Sequence, residues 1–494
     1  MTDTSAERGP LSWPTRVALV GGPALFLLVS LIAPGGLPAA AAPVAGLALW
    51  MGLWWVTEVV PLAATSLLPI VLLPVLGLRT PREAAEPYAN ELVFLFLAGF
   101  IIAAALERWQ SHARIAYGLV SAIGLSSRRV VLGVMVATGF VSMWISNTAT
   151  AAMMFPIVLA IGAMFGEDEG GRQTRTALML GMAYAASIGG MATLIGTPPN
   201  LVMAAAIREQ LGTPLDFGRF FLVGLPMTLI LLPLTWVLLV FVLFRQRADL
   251  DAGAQELLTA RRRALGRIRG GEALTLTVFV CTALAWFLRE PKDLGSVRLP
   301  GLTQLVPGLT DTGIGILAAV LLFSLRGRDT DGTWRPLLRW EEARTLPWEV
   351  LLLFGGGLSL ASAMDASGLT AWIAGQLTGL QGLPLPVVFL GVAAVVVVLS
   401  EFASNLAVAA MMMPLAVSLA GALGQPPLYL MLLSGFSASL GFALPVATPP
   451  NTIAFASGHI PIRSMLRAGL LVDIAGIIVV AIVLALLAPV VFPR

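Results

Sequence analysis

The sequence predicts an all-α polytopic membrane protein assembled from two repeats. Three observations carry that expectation. Of the 494 residues, 57% are hydrophobic and only 12% are charged. The apolar residues fall in long runs parted by short polar loops, which is the pattern of membrane helices. Residues 146–156, Ser-Asn-Thr-Ala-Thr-Ala-Ala-Met-Met-Phe-Pro, return 258 positions later at 404–414 as Ser-Asn-Leu-Ala-Val-Ala-Ala-Met-Met-Met-Pro. Each copy is followed by the same helix-breaking phrase, Gly196-Thr197-Pro198-Pro199-Asn200 and then Ala447-Thr448-Pro449-Pro450-Asn451. Pro-Pro pairs free backbone groups that lipid cannot satisfy. A chain carrying them twice, in the same order, is expected to line one polar site from two halves.

Taken in order, residues 1–90 hold the first spans, near 17–33, 41–57 and 60–77. Arg16, the apolar run from Val17 to Ala33 and the small residues Ala39 to Ala42 also fit a signal peptide. The next apolar run follows at once, so a first span with a cytoplasmic N-terminus is expected. Residues 91–207 form the first repeat, with runs near 91–107, 113–124, 130–145, 149–165, 176–193 and 200–207. The runs at 130–145 and 149–165 are shorter than the roughly 20 residues of a crossing helix. They read as two arms of a re-entrant hairpin meeting at the tip 146–148. The Pro-Pro pair at 196–200 then breaks the following span.

Residues 208–348 connect the halves, with spans near 219–244, 272–288 and 311–326. Their loop, 245–270, carries Arg245, Arg247, Arg261, Arg262, Arg263, Arg267 and Arg269. The positive-inside rule places it in the cytoplasm, which leaves a nucleic-acid role without need. Residues 349–457 form the second repeat, with the hairpin arms 386–399 and 406–423, the tip 404–406, a span near 427–443 and the break at 447–451. Residues 458–494 hold the last span, near 465–491. Glu91, Phe96, Gly99 and Glu107 match Glu349, Phe354, Gly357 and Asp365 at the same offset of 258, which falls to 251 between Thr197 and Thr448. Arg128, Arg129, Arg172 and Arg175 flank the first hairpin and few arginines flank the second, so an inverted repeat is expected.

Several chemistries are disfavoured by composition. The single Cys281 excludes an internal disulfide, and His112 and His459 form no HExxH motif. Lys292, the only lysine, follows Pro291, so the chain has no phosphate-binding loop of the GxxxxGK type. Uphill transport would therefore use an ion gradient or a separate subunit. No Ser-His pair or Asp dyad falls within the repeats, and an enzyme is not expected.

The tips and breaks are the candidate site. A turn between half-helices leaves carbonyls on one side and amides on the other. Carbonyls with Ser and Asn oxygens make a neutral cage for a hard cation such as sodium, while the amide ends favour a carboxylate. One copy would equally be ordinary helix capping; two matching copies favour a site. Neither tip contains Arg or Lys, so an anion would need bound cations to offset its charge. Among the acids in apolar stretches, Glu58, Glu91, Glu107, Glu349 and Asp365 sit near span ends, where solvated or Arg-paired roles serve, as for Glu107 beside Arg108. Glu401, three residues before Ser404, is the exception. Trp54, Trp55, Trp109, Trp340 and Trp348 are expected at the membrane interface, and the methionine runs in packing.

These phrases resemble the divalent anion/sodium symporter family. The resemblance rests on Trp54-Trp55-Val56-Thr57-Glu58-Val59-Val60-Pro61, Phe94 to Ala116, Ser146-Asn147-Thr148, Gly196 to Asn200, Glu401-Phe402-Ala403-Ser404-Asn405 and Ala447 to Asn451. It implies a homodimer in a lipid bilayer, here a bacterial inner membrane, with a mobile transport part moving against a scaffold like an elevator. It implies one sodium near Ser142, Ser146, Asn147 and Gly196, and another near Ser400, Ala403, Asn405 and Ala447. Substrate contacts would fall to Ser146, Asn147, Thr148, Thr197, Ser404, Asn405, Thr448 and Pro449. Two departures stand out: Leu406 replaces the usual Thr of the second tip, and Ser400 a common Thr. The expectation is sodium-coupled symport of a small dianion, a C4-dicarboxylate such as succinate. The alternatives are a sodium-independent exchanger, a sulfate or citrate carrier, and a passive anion channel.

Overall fold

Helices account for most of the described residues, and many of them are long and apolar. The computed structural model describes residues 13–492 apart from 34, 124–125, 167, 213–214, 245–259, 261–262, 264, 269, 294–297, 330–331, 345, 378 and 380–381. Most of the basic loop, including Arg245, Arg247, Arg261, Arg262 and Arg269, lies outside the described residues. Eight described helices are long and apolar enough to cross a membrane. The last, Ile462–Val491, shows why. Leu470, Ile474, Ile478, Ile482 and Leu486 form an exposed stripe at four-residue spacing, while Val472, Gly476, Val480 and Val483 face inward. Such an exposed apolar stripe is costly in water and suits a lipid surrounding.

The two halves repeat their elements in the same order. The first runs Glu91–Arg108, Ser111–Ile123, the pair Ser127–Ser142 and Asn147–Gly162, the broken helix Glu169–Gly190 with Pro198–Leu211, then Phe217–Val237 extended to Leu243. The second runs Trp348–Ala366, Leu369–Gln376, Leu385–Phe402 with Asn405–Leu423, Pro427–Ser437 with Pro449–Phe455, then Ile462–Val491. Gly224 presses on the Met191 and Ala192 carbonyls, and Gly469 presses on Phe442 and Ala443 in the same way.

Most expected boundaries fall close to the observed ones, but the run at 176–193 belongs to a helix that already starts at Glu169, and the run at 60–77 is two short helices, Leu62–Thr65 and Leu68–Val75. The run at 427–443 is helical only to Ser437, and residues 438–448 are unwound into turns and extended backbone. Two short antiparallel strand pairs, Lys292–Asp293 with Arg298–Leu299 and Arg326–Arg328 with Trp334–Pro336, carry no sequence signal at two or three residues each.

Trp55 corrects an expectation. It is fully buried, with its indole N–H donating to Ser66 Oγ at 3.2 Å, so it packs the core rather than the interface. Arg108 pairs with Asp329 and Glu342 rather than with Glu107.

At the centre lies Glu169–Gly190, buried at every position from Thr174 to Gly190. Small residues allow this: Gly189 meets the backbone of Gly139 on the hairpin arm, where a Cβ has no room. The halves also interlock. The helix after each Pro-Pro pair packs on the other half's hairpin arm, Pro198–Leu211 on Asn405–Leu423 and Pro449–Phe455 on Asn147–Gly162. Sequence-distant tips and breaks therefore belong to one packed body.

Candidate cation and anion site

Each break is held open by one asparagine. Asn200 is fully buried, and its Nδ2 donates to the carbonyls of Gly190 (2.9 Å) and Thr193 (2.8 Å). Asn451 does the same in the second half, donating to Gly441 (3.1 Å) and Leu444 (3.0 Å). The two carbonyls lie ten and seven residues back in both cases, so each asparagine closes the unwound segment into a ring. In both, Oδ1 is buried without a hydrogen-bond partner. Both residues stood in the Thr-Pro-Pro-Asn phrases, but sequence reasoning left them out of the assigned site.

In the first half, three of the expected residues are joined directly. Ser142 Oγ donates to Asn147 Oδ1 at 2.8 Å, and Asn147 Nδ2 reaches Thr197 Oγ1 at 3.5 Å. Gly190 packs against the same amide, with space for no side chain. Ser146 caps the second arm, its Oγ accepting from Ala149 N at 3.3 Å. Gly196 folds back on the Gly190 carbonyl inside the Asn200 ring. Ser142 and Thr197 are buried, Ser146 and Asn147 half-buried, and Thr148 exposed. Thr193 donates to the Met143 carbonyl, tying the break to the hairpin tip.

The second half repeats the positions with different bonds. Ser400 Oγ donates to the Ala438 carbonyl at 3.2 Å. Gly441 lies against the Ser400 carbonyl and Ala447, bringing two expected cation ligands to one loop. Ala403 and Ala447 are buried, Ser404 and Asn405 half-buried, and Asn405 Oδ1 is buried without a partner. Thr448 caps its helix, accepting from Asn451 N at 3.3 Å, whereas Thr197 makes no such bond. Pro449 is exposed. Leu406 is tucked into the apolar core at 8% exposure, unlike exposed Thr148 at the matching position.

Carboxylates brace the second loop. Glu401 Oε1 and Oε2 accept the amides of Ala443 and Leu444, both at 2.8 Å. Asp473 Oδ1 accepts the Phe442 amide at 3.2 Å. Sequence reasoning passed over Asp473; its signal was an acid inside the apolar run 465–491.

The donors assembled are hydroxyls, side-chain amides and backbone carbonyls. Such neutral oxygens suit a hard monovalent cation and offer no nucleophile with its base. Among the described residues, no cluster of three or more His, Cys, Asp or Glu could hold a metal ion.

Comparison with known proteins agrees with this chemistry. Over 99% of its length the chain is 38% identical to the sodium-dependent dicarboxylate transporter SdcS of Staphylococcus aureus strain MRSA252, covering 94% of that protein. The same protein from strain USA300 matches equally, at 38% over the same shares. Among solved structures, the YdaH transporter of Alcanivorax borkumensis superposes with a TM-score of 0.53 at 12% identity, over 90% of this chain and 98% of that one. At that identity the likeness speaks for the fold alone. Residues 12–492 match the family described as the sodium:sulfate symporter transmembrane region, and the chain is therefore a member of that family, the divalent anion/sodium symporters whose motifs it carries.

Proposed function

We propose that this integral membrane protein couples sodium entry to the uptake of small dianions, C4-dicarboxylates such as succinate. The observation that carries the reading is the composite site: two Ser-Asn tips and two asparagine-closed breaks, each break's second helix seated on the other half's hairpin arm. No basic side chain belongs to either tip. A dianion held there without cations would have its charge opposed only by dipoles and hydroxyls, which is costly away from water. The 38% identity to a sodium-dependent dicarboxylate transporter supports the same substrate class.

In this reading one sodium sits with Ser142, Ser146, Asn147 and Gly196, and the other with Ser400, Ala403, Asn405 and Ala447. The dianion contacts Ser146, Asn147, Thr148, Thr197, Ser404, Asn405, Thr448 and Pro449. Segments 91–207 and 349–457 are inverted repeats with re-entrant hairpins. Segments 1–90, 208–348 and 458–494 complete the scaffold and the closing spans. The transport part moves as an elevator within a homodimer, in a bacterial inner membrane with the N-terminus cytoplasmic.

Proteoliposomes test the coupling. An inward sodium gradient drives succinate uptake in this reading, and an equal rate with potassium alone would overturn it. Asn147→Ala and Asn405→Ala each abolish uptake while the protein still elutes as a folded species; sodium-driven uptake surviving in both removes the site assignment.

A further inference from the structure

We infer that one face of the protein carries a docking surface for anionic phospholipid headgroups, built from Arg267, Arg326, Arg339 and Arg344 with Trp334 and Trp340. The inference is independent of the ion and the anion transported. Depth, charge and aromatic exposure carry it.

Depth comes first. The helix Asp311–Ser324 has 14 residues. At about 1.5 Å per residue it spans about 21 Å, against a hydrocarbon core of about 30 Å. Leu317, Val320 and Leu321 on this helix are exposed, as lipid-facing residues are. The strand pair Arg326–Arg328 and Trp334–Pro336 follows at once, so it meets the membrane surface rather than standing out in water. Gly327 packs on the Gly271 backbone and presses the hairpin onto the start of the helix Gly270–Leu288. Gly327 is buried, and its neighbours Arg326 and Arg328 therefore point outward.

Positive charge gathers on the same face. Arg108 and Arg335 are balanced by Asp329 and Glu342. Around them Arg267, Arg326, Arg328, Arg339 and Arg344 are exposed, against the exposed acids Glu341 and Glu349. Among the described residues, Arg267, Arg326, Arg339 and Arg344 form no ion pair. Gly270 lies against Arg328, so the end of the basic loop, with Arg267 and the exposed Ile268, joins the hairpin.

Aromatic rings complete the surface. Trp334 is 61% exposed and Trp340 60%. The Arg328 guanidinium lies 5.7 Å from the Trp334 ring centroid, and Phe323 holds Trp340 with ring centroids 5.9 Å apart. Indoles supported on one side and open on the other suit the headgroup layer, which satisfies both the apolar ring and the N–H. The unpaired arginines decide the kind of lipid. A zwitterionic surface offers them no net attraction, whereas an anionic one strengthens binding about fivefold per arginine.

The test is the melting temperature of the full-length protein in detergent, titrated with phosphatidylglycerol or with phosphatidylcholine of the same acyl chains. Lipid that binds the folded state raises it. Phosphatidylglycerol is expected to stabilise the parent at a lower mole fraction than phosphatidylcholine. Arg267→Gln, Arg326→Gln, Arg339→Gln and Arg344→Gln combined raise the phosphatidylglycerol midpoint by about tenfold or more. Arg82→Gln, at an exposed arginine of another loop, leaves it unchanged. Equal midpoints for the two lipids in the parent, or for the parent and the combined variant, overturn the proposal. An equal shift in Arg82→Gln also overturns it, because net charge and not this surface would then set the affinity. Glycerol 3-phosphate alone gives no stabilisation; a rise matching that from the lipid would assign the arginines to a soluble phosphate instead. If the combined variant does not fold, tryptophan quenching by phosphatidylglycerol spin-labelled at the headgroup decides. Trp334→Phe with Trp340→Phe then loses part of the quenching seen in the parent, and unchanged quenching overturns the placement of the indoles.

Discussion

Gly190 is where a single methyl group should separate the cation site from the fold around it. It ends the helix Glu169–Gly190 without left-handed backbone, so alanine fits the chain itself. The added Cβ, however, falls 3.1 Å from Asn147 Cγ and 3.2 Å from Nδ2, and closer still to Oδ1. Restoring ordinary van der Waals separation moves the amide by about 1 Å. The Ser142–Asn147 bond of 2.8 Å and the Asn147–Thr197 contact of 3.5 Å cannot both survive that shift. Misplacing one buried polar ligand costs about 1–3 kcal/mol. At about 1.4 kcal/mol per tenfold, sodium half-saturation rises roughly 5- to 150-fold. The assay is initial succinate uptake into proteoliposomes over a sodium series. Gly181→Ala is the control: it lies on the same helix, and its Cβ meets side chains rather than a site residue, Met135 Cγ and Sδ at 3.0 and 3.2 Å and Val131 Cγ1 at 3.5 Å. Gly190→Ala with a sodium half-saturation within twofold of the parent would refute the placement of Asn147 as a cation ligand.

Asn200→Asp and Asn451→Asp each keep the side-chain shape but lose two amide donors to buried carbonyls, so each should cost about 2–4 kcal/mol and lower the melting temperature by several degrees. An unchanged melt would show that the rings hold without them. Asp311→Asn breaks a buried bond to Arg289 Nε (2.6 Å) while Phe217 N (3.0 Å) still has an oxygen to meet. Arg289 keeps Glu290 at 2.7 Å, so a loss of about 2–3 kcal/mol is expected in a denaturation series rather than a full buried-pair penalty. Leu406→Thr restores the missing hydroxyl, but into the core. It should lower thermal stability by about 1–3 kcal/mol and leave the uptake ranking of succinate, malate, citrate and sulfate as in the parent. A reversed ranking would place residue 406 in the anion pocket after all.

The sequence disclosed what depends on local chemistry. Pro198 and Pro449 mark the starts of the post-break helices within a residue, because proline fixes a helix's first turn wherever it stands. Ser146 and Ser404 mark the turns, since a hairpin arm of about 16–19 residues has to end near them. What could not be read depends on partners distant in sequence. Trp55 and Trp54 look alike in the chain, but the Ser66 hydroxyl draws one indole inward and the Ala18 carbonyl takes the other. Asp473 belongs to no motif; its role appears only once Phe442 presents an amide to it. Leu406 was legible as a departure from the family, but its inward orientation was not.

The interlocking of the halves also sets a timetable. Helix Pro198–Leu211 rests on the arm Asn405–Leu423, which is synthesised about 200 residues later. At about 5–20 residues per second, the first half waits roughly 10–40 s with that face uncovered. During this interval the helix Pro198–Leu211 lacks the arm it packs against, although Asn200 can already meet the Gly190 and Thr193 carbonyls of its own half. The first half is therefore an open client of the insertion machinery until the second hairpin arrives, and pausing between residues 211 and 405 prolongs its exposure.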